Sequence, residues 1–172
     1  MKILFISLGC DKNLVDTEVM LGLLASRGYE MTDDERQADI IVINTCCFIH
    51  DAKEESIQNI LEMAEYKKSG QVKALIVTGC LAQRYRQEIL DEIPEGIILS
   101  DLNALPVSGA KRLVTTGGHF AYLKIAEGCD KHCTYCIIPK IRGNFRSVPM
   151  ERLIKEAKEL AEQGVKELIL VA

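Results

Sequence analysis

Three cysteines within eight residues pose the first chemical question. Cys129, Cys133 and Cys136 stand in AEGCDKHCTYCIIP with the spacing C-x3-C-x2-C. Thiolates this close let one loop wrap an iron–sulfur cluster, and three ligands leave one metal position open. Zinc is the competing metal, with His132 or a remote cysteine completing a tetrahedron. His132 adjoins Cys133, however, which is an awkward place from which to join the same site. A bacterial ferredoxin would want C-x2-C-x2-C and a fourth cysteine, and none follows Cys136.

A second set of three is dispersed. Cys10, Cys46 and Cys80 lie about 35 residues apart, in SLGCDKN, NTCCFI and VTGCLAQ. Each follows a short apolar run that reads as a buried strand. In a parallel sheet those positions share the carboxyl edge, where open α/β folds bind ligands. The alternative is three cysteines of the core, since free cysteine is often buried. Placement just beyond each strand, rather than within it, favours ligation. Cys47 adjoins Cys46, should point elsewhere, and reads as a passenger.

The neighbouring residues carry weaker signals. Tyr135 precedes the last cysteine and is suited to stacking on a ligand ring, with core packing as the alternative. Lys140, Arg142 and Arg146 are three cations in seven residues, and the default reading is a solvated turn. His50, His119 and His132 read as surface or packing residues. The chain contains no phosphate loop, no H-E-x-x-H and no nucleophile elbow.

The elements that must position these residues alternate along the chain. Residues 2–8, 39–45 and 73–79 read as buried strands, and residues 96–100 as a further short one. Residues 11–27 read as a helix with Val15, Val19, Met20, Leu23 and Leu24 on its stripe, Asp11 as N-cap and Gly28 at C′. Ile57, Ile60, Leu61 and Ala64 give the best helical period, and residues 81–92 read as a third helix ending before Pro94. This alternation predicts a parallel α/β sheet. Residues 102–118 read as a linker. After it come a strand in HFAYLKIAEG, the cysteine loop, a helix over 149–163 with Pro149 near N1, and a strand in VKELILVA. The helix carries Leu153, Ala157, Leu160 and Ala161 on one face. Such a single βαβ unit cannot cover its own sheet faces.

Composition narrows the function classes. The chain has 172 residues, 48% hydrophobic and 27% charged, with a formal charge of -4. That balance carries no electrostatic footprint for nucleic acid. No apolar run reaches the roughly 20 residues that span a bilayer. MKILFISLGC has too short an apolar core for a signal peptide and reads as the first strand. Seven cysteines with no secretory signal point to metal or catalysis in a reducing, cytoplasmic setting rather than to disulfides.

C-x3-C-x2-C with an aromatic before the last cysteine resembles the radical S-adenosylmethionine enzymes. YLKIAEGCDKHCTYCIIPKIRG resembles their methylthiotransferase branch, as do SLGCDKNLVDTE, INTCCFIHDAKEES and VTGCLAQRY nearer the start. LGCDKNLVDTE and GNFRS are most similar to the type that modifies a ribosomal protein.

The resemblance implies an amino-terminal methylthiotransferase domain over 1–101, a linker over 102–118 and the start of a radical S-adenosylmethionine domain over 119–172. That last part would be the first βαβ portion of a partial TIM-like barrel. Cys129, Cys133 and Cys136 would hold a radical-generating 4Fe–4S cluster, Cys10, Cys46 and Cys80 an auxiliary one, and Tyr135 would lie near the adenine of S-adenosylmethionine. The implied reaction adds a methylthio group to the β-carbon of an aspartate in small-subunit ribosomal protein twelve, with a reductant supplying electrons. The near rivals are a tRNA methylthiotransferase of the same family and a non-catalytic iron–sulfur or zinc-binding module. Asn13, Asp16 and Glu18 fall in KNLVDTE and receive no role beyond support of the Cys10 loop. The stretch around 95–112 is shorter than the resemblance implies. The remaining barrel and a small β domain do not follow Ala172, so a fragment without activity of its own is expected.

Overall fold

Runs rich in isoleucine and valine form the centre of the chain, as a sheet of five short strands. The computed structural model describes residues 1–94, 96–98 and 111–172, without the side chains of 97 and 98. The strands are β1 (Lys2–Ser7), β2 (Glu30–Thr32), β3 (Ile40–Thr45), β4 (Ala74–Gly79) and β5 (Gly96–Ile98). They pair in parallel in the order β2-β1-β3-β4-β5. The register sets Ser7 beside Asn44 and Asn44 beside Thr78, so β1, β3 and β4 end at one level. Ile41, Ile43, Leu75 and Val77 are fully buried, each worth about 1.5–3 kcal/mol over an exposed side chain.

Four helices connect these strands: α1 (Asp11–Ser26), α2 (His50–Lys68), α3 (Cys80–Arg84) and α4 (Arg86–Glu92). The remaining described residues contain β6 (Phe120–Lys124), β7 (Ala126–Glu127), α5 (Ile138–Arg142), β8 (Arg146–Ser147), α6 (Met150–Glu162) and β9 (Glu167–Val171). β6 and β9 pair in parallel across the α6 crossover, and Leu160 packs with Ala121 and Val165 between them. β7 and β8 form a small antiparallel pair that brackets the cysteine loop. Among the described residues no helix is long and apolar enough to cross a membrane.

The α/β reading stands, with local corrections. β2, α5, β8 and a 3₁₀ turn at Glu35–Gln37 were not anticipated, because each is too short to show a period. The helix expected over 81–92 is two helices that meet at Tyr85. Asp11 is the first helical residue of α1 rather than its N-cap, which is Cys10. Gly28 does take a positive φ after α1 and donates its N–H to Ala25 O. The strand expected over 96–100 spans Gly96–Ile98, and residues 99 and 100 lie outside the described residues, as does most of 102–118.

The largest correction concerns α1. Of its expected apolar stripe, Val15 is buried whereas Val19, Met20, Leu23 and Leu24 are half-buried. The fully enclosed positions include Asn13, Asp16, Thr17 and Glu18. The helix has a second covered side, and the segment beginning at residue 111 lies against it through polar groups. Glu18 accepts from Arg112 Nε at 2.7 Å, from Thr115 N at 2.6 Å and from Thr115 Oγ1 at 2.9 Å. Arg112 also pairs with Glu156 of α6 at 2.9 Å.

A buried carboxylate of this kind is stable only while its partners remain. Glu18→Gln is therefore expected to destabilise the chain by about 3–5 kcal/mol. Lys155→Ala breaks only an exposed pair with Glu159 and should cost less than about 1 kcal/mol. Denaturant unfolding of both variants checks the contrast.

Candidate metal centre

The equal ending of β1, β3 and β4 brings the dispersed cysteines together. Cys10 caps α1, Cys46 follows β3 directly, and Cys80 opens α3. All three line one cavity of about 340 Å³, together with Lys12, Phe48, Ile137, Ile141 and Arg142. Strand order reverses between β1 and β3, and such a switch point opens a crevice beyond the strand ends.

Backbone geometry fixes how closely the loops approach. Gly9 has φ +92°, and a Cβ there would stand 2.3 Å from Cys46 Cβ and 2.7 Å from its Sγ. Gly79 has φ +94°, and a Cβ there would stand 2.3 Å from Thr45 O. Only glycine satisfies both conditions at these positions. Side chains then lock the loops. Asn13 Nδ2 donates to Leu8 O and to Thr45 O, both at 2.9 Å. Ser56 Oγ accepts from Cys46 N at 3.0 Å and donates to Cys46 O at 2.9 Å. Thr45 Oγ1 donates to Thr78 O at 2.6 Å.

Cys129, Cys133 and Cys136 lie on the single loop between β7 and α5. Cys136 N donates to Cys133 O at 3.0 Å, Cys129 N donates to Gly143 O at 3.0 Å, and Lys131 N points at Cys129 Sγ from 3.4 Å. Cys129 and Cys136 are half-buried and Cys133 is exposed. Tyr135 is 90% exposed, so its ring packs in no core. His50 and His132 are likewise exposed. Cys47 is buried in the same core cluster as Ile60 and Leu81 and does not line the cavity.

Among the described residues no three His, Cys, Asp or Glu side chains converge to hold a single ion. A cluster binds its cysteines through separate irons and tolerates wider spacing. The first triplet suits it: three thiols on one cavity wall, with Lys12 and Arg142 present to balance thiolate charge. In the second, a backbone N–H directed at sulfur is the kind of contact that tunes cluster thiolates.

Arg142 departs most from expectation. The cation run 140–146 was expected to form a solvated turn, yet Arg142 is 5% exposed. It donates from Nη1 to Asp16 at 2.8 Å and to Glu127 at 3.1 Å, and from Nη2 to Asn13 Oδ1. Lys124 also pairs with Asp16 and lies 3.0 Å from Glu127. Burial acts to raise the Glu127 pKa, but Arg142 and Lys124 outweigh it and hold the carboxyl below its usual range. The sequence signal for these roles is the cluster of polar residues in KNLVDTE, whose charged partners lie 94 to 129 positions away.

Two family profiles match the chain. Residues 2–100 match the Uncharacterized protein family UPF0004, and residues 123–172 match the Radical SAM superfamily. The chain belongs to the UPF0004 family. The radical S-adenosylmethionine match follows it in the same chain, which bears out the resemblance to methylthiotransferases. Three relatives carry the printed name ribosomal protein uS12 methylthiotransferase RimO. The one from Lachnoclostridium phytofermentans is 64% identical over 197 residues, covering 100% of this chain and 45% of the relative. Those from Clostridioides difficile and Desulforamulus reducens are 47% and 49% identical, covering 100% and 97% of this chain and 44% of each relative. This UPF0004 chain thus spans less than half the length of the curated relatives it matches. Membership in the radical S-adenosylmethionine superfamily implies a 4Fe–4S cluster and S-adenosylmethionine as cofactors.

The enclosed thiol gives a test on the metal-free chain. Burial pushes Cys80 up to about 11, with Arg142 opposing and the neighbouring Cys46 and Cys47 reinforcing it. Its reactive thiolate is scarce at neutral pH. Iodoacetamide labelling of Cys80 is expected to be far slower than that of exposed Cys10 near pH 8. It should then rise about tenfold per pH unit until the thiol titrates. Peptide mass spectrometry across a pH series reads both rates.

Proposed function

We propose that this chain is the two-cluster portion of a radical S-adenosylmethionine methylthiotransferase acting on an aspartate β-carbon of ribosomal protein uS12. The observation that carries the reading is the grouping of six cysteines into two sets of three. One set lines a cavity at the sheet edge, and the other lies on a loop bracketed by β7 and β8. Cys129, Cys133 and Cys136 would hold the radical-generating 4Fe–4S cluster, and Cys10, Cys46 and Cys80 the auxiliary one. Tyr135, beside the first set and without a packing partner in the core, would stack on the adenine. When bound, these groups supply one-electron cleavage chemistry and a place for the transferable sulfur, while the protein positions and shields them.

The chain's own residues have definite tasks in this reading. Phe48, Ile137 and Ile141 give the auxiliary cavity an apolar wall that limits water near reactive species. Lys12 and Arg142 offset thiolate charge. The relatives' printed name supports the ribosomal substrate, and the net charge of -4 favours a protein over an RNA partner. A ribosomal substrate would place the enzyme in the cytoplasm, with a cellular reductant as electron source. The domain limits 1–101, 102–118 and 119–172 belong to the same proposal.

Full-length protein, reconstituted anaerobically, should bind about eight iron per chain, and about four after Cys129, Cys133 and Cys136 are changed to Ala. It should place sulfur on uS12, as read by mass spectrometry of the isolated ribosomal protein. Iron unchanged by the triple substitution would overturn the radical-site assignment, and sulfur found only on tRNA would overturn the substrate.

A further inference from the structure

Arg142 joins two parts of the chain that are distant in sequence. Its guanidinium is enclosed by Asn13 and Asp16 of α1 on one side and by Glu127 on the other. Asn13 is itself fully buried and holds Leu8 O and Thr45 O, the carbonyls just before Cys10 and Cys46. Arg142 also lines the cavity shared by Cys10, Cys46 and Cys80. On the other side, the next residue, Gly143, accepts the N–H of Cys129. Glu127 accepts both from Arg142 and, at 3.1 Å, from Gly128 N. At most one side chain therefore separates this cation from the loops carrying Cys10, Cys46 and Cys129.

We propose that Arg142 is a positioning residue that couples the two cysteine triplets, holding the Cys129 loop against the cavity of Cys10, Cys46 and Cys80. The inference rests on the two-cluster reading above. Lysine cannot replace it fully, because a point charge cannot meet Asn13, Asp16 and Glu127 in one planar fork. A guanidinium beside the cavity also favours the more negative, reduced state of a cluster held there.

The test uses full-length protein reconstituted anaerobically with ferrous iron and sulfide. In a Cys129→Ala, Cys133→Ala, Cys136→Ala background only the auxiliary site can load. There Arg142→Gln should shift the midpoint potential of that cluster downward, and Arg142→Lys should recover most of the shift. With all six cysteines present, paramagnetic resonance of the doubly reduced protein should show dipolar broadening that narrows in both Arg142→Gln and Arg142→Lys. Because Arg142→Gln leaves Asp16 with one fewer cation, the double variant Arg142→Gln, Asp16→Asn keeps the buried charge balanced; its potential shift should be smaller than that of Arg142→Gln, while the narrowing should be the same. Broadening that stays unchanged in the double variant overturns the coupling role while leaving the cluster reading intact. A parent protein with no iron at Cys10, Cys46 and Cys80 overturns both together.

Discussion

A guanidinium withdrawn from water and surrounded by an amide and two carboxylates is the constraint on which the rest of this structure depends. Arg142 satisfies its donors on Asn13, Asp16 and Glu127, and Lys124 shares the two carboxylates with it. A lone charge in that position would cost several kcal/mol. The same contacts draw the end of α5 against α1, and α1 is the helix that begins at Cys10. The placement of α5 beside α1 follows from where this charge can be satisfied. Lys124 and Arg112 extend the pattern along α1 through Asp16 and Glu18.

The sheet provides the other half of the arrangement. Parallel strands ending at one level bring residues from three distant loops to a common edge, and the loops converge because Gly9 and Gly79 leave no side chain between them. A cysteine just beyond each of these three strands is enough to bring three thiols to one cavity. Ile137, Ile138 and Ile141, from the segment that follows the Cys129 loop, supply part of the apolar wall of the cavity that Cys10, Cys46 and Cys80 line.

Much of this was legible in the sequence because it repeats a local rule. The runs at 2–8, 39–45 and 73–79 are apolar enough to fix three central strands, and the position of Cys10, Cys46 and Cys80 just beyond them fixes their convergence. The C-x3-C-x2-C loop is readable from spacing alone. The polar core was not legible. Asn13, Asp16 and Glu18 face partners between 94 and 129 positions away, and no period links an acid on one helix to a cation so far downstream. Arg142 looked solvated because it sits in a run of cations, of which Lys140 is exposed. The break at Tyr85 and the two-residue strands escaped notice because elements of that length carry no periodic signal.

In the proposed reading, two cysteine triplets linked through the buried Arg142 form one two-cluster site. The most direct measurement is an anomalous-scattering map at the iron edge from crystals of the anaerobically reconstituted full-length protein. The expected map has two iron clusters, one at Cys10, Cys46 and Cys80 and one at Cys129, Cys133 and Cys136, with Arg142 seated between Asn13, Asp16 and Glu127. A single iron site, or a map with the first triplet empty and Arg142 turned to solvent, would contradict it.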